Sequence, residues 1–251
     1  MPLIDSHCHL DLYPNFVEIL ERCEEKQVYT LAVTTTPRAW PRNLELTADK
    51  QYVNAALGLH PQLVNETWQD ELNIWEKYLS QAKYVGEVGI DAGMNFSHTL
   101  PVQQKVFRRI LELCAEEGNK ILSVHSINSA RLVLDLIEEV LPLDKNKVIL
   151  HWFTGTTTEA KRAVELGCHF SVNHKMLETQ KGKALLDLLP FNKLLTETDG
   201  PFIQQNGKPT EPSGVIETIR LLASIKRTSP NSISQIIFEN FMKLSIENNN
   251  S

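Results

Sequence analysis

No stretch of this 251-residue chain approaches the roughly 18 consecutive apolar residues of a membrane-spanning helix. Its opening residues carry neither the basic nor the apolar region of a secretory signal, so a cytoplasmic protein with no membrane partner is the expectation. Cysteine is scarce: Cys8, Cys23, Cys114 and Cys168 stand far apart, and without a C-x-x-C pair they support neither a disulfide framework nor a cysteine zinc site. They read as reduced thiols filling the core. Positive charge is in deficit too, with 25 Lys and Arg against 31 Asp and Glu and a net charge of −6. That balance excludes a broad basic surface holding nucleic acid by phosphate neutralisation alone. A phosphate-handling site would need local positive charge, which bound metal ions supply. Low-complexity linkers and internal repeats are absent, so one domain over 1–251 is expected, with the tail Glu247 to Ser251 disordered.

What is present suits a full core, 42% hydrophobic and 22% charged residues in a length ordinary for one α/β barrel. Short β-branched apolar runs alternate with segments of helical period, the pattern of βα units and a parallel sheet. Eight strands are predicted: Leu3 to Asp5, Tyr29 to Thr34, Val53 to Leu57, Tyr84 to Val88, Ile121 to His125, Val148 to His151, His169 to Val172 and Leu194 to Glu197. Between them, Phe16, Ile19, Leu20 and Cys23 share one helix face, as do Phe107, Ile110, Leu111 and Cys114. After the loop Gly200 to Gly214, one helix starts near Ser213 and a last one at Ser232, which can cap it. The expected fold class is α/β, a single (β/α)8 TIM barrel with a metal site at the C-terminal ends of its strands.

In such a barrel the residues ending the strands form the active site. His7 and His9 lie two apart in Asp5-Ser6-His7-Cys8-His9, so on a strand their side chains point the same way. His60 follows the third strand. Glu87 sits in Gly86-Glu87-Val88-Gly89-Ile90-Asp91, His125 ends the fifth strand, His151 the sixth, and Asp199 closes Thr196-Glu197-Thr198-Asp199. A lone strand histidine is more often a hydrogen-bonded core residue, and an acid such as Glu87 can simply cap a helix. Six ligand-type residues at strand ends reverse that balance and are enough for two divalent ions sharing one carboxylate.

In this order, H-x-H, G-E-V-G-I-D, S-V-H-S, H-W-F-T-G and T-E-T-D-G-P resemble the TatD family of metal-dependent deoxyribonucleases of the amidohydrolase superfamily, from Ile4 to about Phe202. Val33-Thr34-Thr35-Thr36-Pro37, the segment Leu166 to Val172 and the compact length are more similar to the TatD-like nuclease of the bacterial Qat anti-phage defence system. The resemblance implies that His7, His9 and Asp199 hold one ion, that His125 and His151 hold another, that Glu87 bridges them, and that His60 faces the substrate phosphate. It implies two divalent ions (Mg, Mn or Zn), a DNA or other nucleic-acid substrate cleaved by an exonuclease acting on single strands, and partners among defence-system proteins. The chain departs from the family pattern at Ala92-Gly93, Trp152 and Gly200, which are not ligands but shape the substrate groove.

Four neutral histidines, two carboxylates, two divalent ions and a hydroxide sum to about +1 (−2 + 4 − 1), against about −2 without metal. Asp199, Glu87 and His60 are the expected catalytic residues, with Asp199 accepting the proton of the attacking water. Substrate contacts are expected from His60, His174 and Trp152, the last either core or a base-stacking platform. Trp40, Trp68 and Trp75 read as helix packing and His98 as a loop residue. Lys175, Lys181, Lys183 and Lys208 read as a solvated face or a phosphate-binding rim. Two other functions fit the same residues: hydrolysis of a small-molecule ester, lactone or amide, for which Glu87 in place of a bridging lysine is unfavourable, and a non-catalytic subunit of a nucleic-acid-processing complex.

Overall fold

The computed structural model describes residues 2–246. Eight parallel strands, β1 (Leu3–Cys8), β2 (Val28–Val33), β3 (Val53–Leu57), β4 (Tyr84–Gly89), β5 (Ile121–His125), β6 (Lys147–His151), β7 (His169–Val172) and β8 (Leu194–Thr196), are hydrogen-bonded in chain order. All eight predicted strands are present. β1 runs three residues beyond its predicted end and β8 stops one residue short of its own.

Side chains and strand-end amides knit β1 to β8. Ser6 Oγ donates to Thr196 O at 3.0 Å, Thr196 Oγ1 donates to Ile4 O, and Thr198 N–H donates to buried Asp5 Oδ1 at 2.9 Å. Beyond the strands, Asp199 N–H reaches His7 O at 3.0 Å and His9 N–H reaches Gly200 O at 2.8 Å. The seam is thus built from the two segments that bring His7, His9 and Asp199 together.

The helices α1 (Phe16–Lys26), α2 (Trp40–Thr47), α3 (Trp68–Leu79), α4 (Leu100–Glu117), α5 (Ala130–Val140), α6 (Thr157–Glu165), α7 (His174–Glu178), α8 (Gln180–Leu186), α9 (Val215–Ile225) and α10 (Pro230–Ile246) occupy the connections and the C-terminal end. Their apolar stripes are buried as the sequence period requires: Phe107, Ile110, Leu111 and Cys114 are all inaccessible, each large apolar side chain contributing about 1.5–3 kcal/mol on burial. Trp40 and Trp75 are fully buried, and Trp68 packs partly buried against the same core. All four cysteines are buried free thiols.

Two segments differ from expectation. The last helix starts at Pro230, because Ser229 rather than Ser232 caps it: Ser229 Oγ accepts the Ser232 N–H at 3.0 Å, and proline fits the first helical position. The loop after β8 contains a hairpin, β9 (Gln204–Gln205) pairing with β10 (Lys208–Pro209) through Asn206 and Gly207, both at positive φ, the Asn-Gly turn that tight hairpins favour. The predicted disorder of Glu247 to Ser251 lies outside the described residues.

Candidate metal centre

Irregularity in the strands places the donors. Pairing passes from Asp5↔Thr30 to Cys8↔Ala32, three residues against two, so β1 bulges at Ser6 and His7. β4 does the same between Val85↔Leu122 and Val88↔Val124, at Gly86 and Glu87. A bulge re-aims side chains locally, and here the bulged segments carry His7 and Glu87. At the mouth, Trp152 and Asp199 hold φ of +37° and +50°, a left-handed conformation uncommon for non-glycine residues and concentrated at functional sites.

The six expected ligands converge, and all are buried. His7 and His9 Nε2 lie 3.3 Å apart, and at 3.7 and 3.8 Å from Asp199 Oδ1. Glu87 divides its oxygens between two groups. Its Oε2 lies 3.3 Å from His7 Nε2 and 3.1 Å from His9 Nε2. Its Oε1 lies 2.6 Å from His125 Nδ1, 3.2 Å from His60 Nε2 and 3.5 Å from His151 Nε2. The clusters compact enough for one cation are His7, His9 and Asp199; His7, Glu87 and His151; and His60, Glu87 and His125. Among the described residues none of these clusters holds both His125 and His151; His151 joins His7 and Glu87 instead, its ring stacked on that of His7 with centroids 3.7 Å apart.

Hydrogen bonds to the far ring nitrogens sort these histidines. His7 Nδ1 is 2.7 Å from Ser123 Oγ, and His151 Nδ1 is 3.1 Å from Glu197 Oε2, which leaves each Nε2 facing the centre. His125 Nε2 is 3.0 Å from Asp91 Oδ2, leaving Nδ1 toward Glu87. His60 differs. Its Nδ1 accepts the Gln62 N–H at 3.1 Å, so a neutral ring carries its proton on Nε2 and offers a donor, not a lone pair, to Glu87. Burial lowers the His60 pKa despite Glu87, which keeps the ring neutral. We therefore leave His60 out of the ligand set although it stands as near as the others.

The charge balance fits a cation. Burial raises the Asp199 pKa to about 7, helped by Glu197 and Glu87 against the pull of His151 and His9. Burial opposes a charged His151, yet Glu197 and Glu87 overcome it and lift the ring to about 10. Burial also acts against ionised Glu87, but the His60, His7 and His151 rings hold its pKa well below the usual range. His7, by contrast, is driven down to about 3 by burial and the nearby His151. Among the described lining residues the cavity has no Lys or Arg, so without metal the buried carboxylates draw a proton onto His151. A divalent cation answers the same deficit, and His/carboxylate donors suit one.

The cavity has a volume of about 540 Å3 and includes His9, His60, Glu87, His125, His151, Trp152 and Asp199. Another of about 520 Å3, lined by Arg38 and Arg42, holds none of the three donor clusters. His174 is not brought to the mouth, contrary to expectation. Asn173 caps α7, its Oδ1 accepting Met176 N–H at 2.8 Å, and the chain turns there, leaving His174 buried with Glu178, Lys175 and Glu217 as charged neighbours. Asn173 itself reaches inward, donating to Glu197 Oε1 at 2.8 Å. None of Lys175, Lys181, Lys183 and Lys208 lines the cavity; Lys181 donates to Thr154 O at its edge. His98 is exposed in a short turn. The roles of Asp91, Ser123 and Phe202, and of Glu197 as a partner of His151, were not legible in the sequence. Asp91 and Glu197 stand inside quoted motifs, and the available signal was a second acid beside each expected ligand.

A parallel eight-stranded barrel with buried His and carboxylate donors at its carboxyl mouth defines the class of metal-dependent hydrolases. Within that class the chain belongs to the TatD related DNase family, whose model matches residues 4–245. It is 27% identical to an uncharacterised metal-dependent hydrolase of Methanocaldococcus jannaschii, covering 96% of this chain and 95% of that protein. It is 27% identical to the human deoxyribonuclease TATDN3, covering 96% of this chain and 94% of that one. The crystal structure of an Escherichia coli TatD homologue, YJJV, superposes with a TM-score of 0.84 at 25% identity, covering 96% of this chain and 97% of that one.

Proposed function

We propose that this barrel acts as one domain that hydrolyses phosphodiester bonds in DNA as an exonuclease on single strands, using two divalent ions. His7, His9 and Asp199 would hold one ion, His125 and His151 the other, and Glu87 would serve both. The observation that carries this reading is the division of Glu87, with Oε2 toward His7 and His9 and Oε1 toward His125, His60 and His151, of which His60 offers a donor and not a lone pair. When bound, the ions supply the positive charge that draws in a phosphodiester and activates water.

The chain's own groups do the rest. Asp91 and Glu197 accept the far N–H groups of His125 and His151 and so hold those rings in the ligating tautomer. Asp199 takes the proton of the attacking water at a carboxylate oxygen. His60 presents its Nε2–H toward a phosphate oxygen as charge develops there. Elemental analysis of the purified protein, paired with cleavage of a single-stranded oligonucleotide with and without chelator, tests the proposal. Two equivalents of metal and chelator-sensitive release of nucleotides from one end support it; metal-loaded protein that leaves the strand intact refutes it.

The segments Val33-Thr34-Thr35-Thr36-Pro37 and Leu166 to Val172 support a place beside the TatD-like component of the Qat anti-phage system, with other defence proteins as partners. Loss of phage resistance on Glu87→Ala in a host carrying such a system tests that placement, and unchanged resistance counts against it.

A further inference from the structure

Three large hydrophobic side chains that stay exposed, Leu63, Ile127 and Phe202, stand on the wall of the donor cavity, and Trp152 joins them there. Phe202 is the most exposed of the three, at 62%. A ring left in water stabilises the fold little, yet its position is closely fixed. Phe202 N–H donates to Asp199 O at 3.0 Å, and the preceding Gly200 O accepts His9 N–H at 2.8 Å. The Phe202 ring meets the His9 ring edge to face with centroids 5.0 Å apart. An aromatic plane is therefore anchored beside two proposed ligands, in a cavity whose described walls offer no Lys or Arg to grip a chain of phosphates. The cavity volume, about 540 Å3, lies in the roughly 300–1,000 Å3 range of sites for small organic groups.

We propose that Phe202, with Trp152 on the same cavity, stacks the terminal nucleobase of the strand whose phosphodiester lies at the donor cluster, so that the strand end is recognised through its base. This deepens the nuclease reading and rests on it. Every base has a π-face, so such a platform accepts all four bases. The contact of the ring with His9 restrains it before the base arrives, which lowers the ordering cost of stacking.

The test compares metal-loaded wild type, Phe202→Ala and Phe202→Trp on two single-stranded oligonucleotides that differ only in the terminal residue, one with its base and one abasic. With the base present, Phe202→Ala raises KM roughly five- to a hundredfold, the range that base stacking supports, leaves kcat nearly unchanged, and is rescued by Phe202→Trp. Removing the base and removing the ring are not additive, because both delete one interaction. Additive effects, or an unchanged KM on the base-bearing strand, overturn the stacking role while nuclease activity stands. Wild type that cleaves neither strand overturns the nuclease reading, and this inference with it.

Discussion

Asp199→Asn separates the charge of this residue from its shape. Asp199 is 6% exposed, and burial, with Glu197 and Glu87, lifts its pKa from 3.8 to about 7. A carboxyl group with a raised folded-state pKa favours the fold while protonated. Its contribution is full below the ordinary value and is lost as pH rises through about 7. At 1.36 kcal/mol for each pH unit between the two values, ionising it in metal-free protein costs roughly 4 kcal/mol. Asparagine escapes that cost. Metal-free Asp199→Asn should therefore melt above metal-free wild type at about pH 8, by roughly 8–16 °C for a chain of this length, and the two should converge near pH 4. Scanning calorimetry after chelator treatment measures this, and equal melting at the higher pH would refute the burial argument. Saturating metal should reverse the order, because the carboxylate then stabilises the fold through its ligand. The loaded variant should cleave oligonucleotides at least about a hundredfold more slowly. Near-normal cleavage by folded, metal-loaded protein would move the proton acceptor to Glu197 or another group.

Glu87→Ala should lose both ions together, since Glu87 alone faces both groups; retention of two equivalents by elemental analysis would end the bridging role. Glu197→Gln should lower metal affinity or rate by roughly 10- to 100-fold through His151, read by metal titration, with an unchanged titration as the opposing result. His60→Ala should keep its metal and bind an oligonucleotide more weakly, and loss of metal would instead make His60 a ligand. Gly200→Ala should destabilise by roughly 1–3 kcal/mol, seen as a lower Tm, because a Cβ there would lie 2.0 Å from Tyr13 Oη and 2.1 Å from Thr210 O.

Much of the barrel was legible in the chain, because buried parallel strands and amphipathic helices impose periods that local sequence records. β3, β5 and β7 match their predicted bounds. The six proposed ligands were legible for a related reason, since a barrel gathers whatever ends its strands, and a polar residue ending an apolar run stands out. The finer arrangement depended on contacts between residues distant in sequence. Only the fold stacks His151 on His7, ties Asp91 to His125 across 34 residues, and gives His60 a Gln62 N–H that makes its inner nitrogen a donor. Bulges at His7 and Glu87 arise from strand pairing, which a single segment does not encode. His174 follows a strand that ends at the mouth, but it is Asn173 that reaches inward to Glu197, and the helix Asn173 caps leaves His174 off the cavity wall; the tight turn after Asp199 put Phe202 on that wall. Residue type and order determined which chemistry is available here; the tertiary structure decided which nitrogen faces inward, which acid orients it, and which apolar rings surround it.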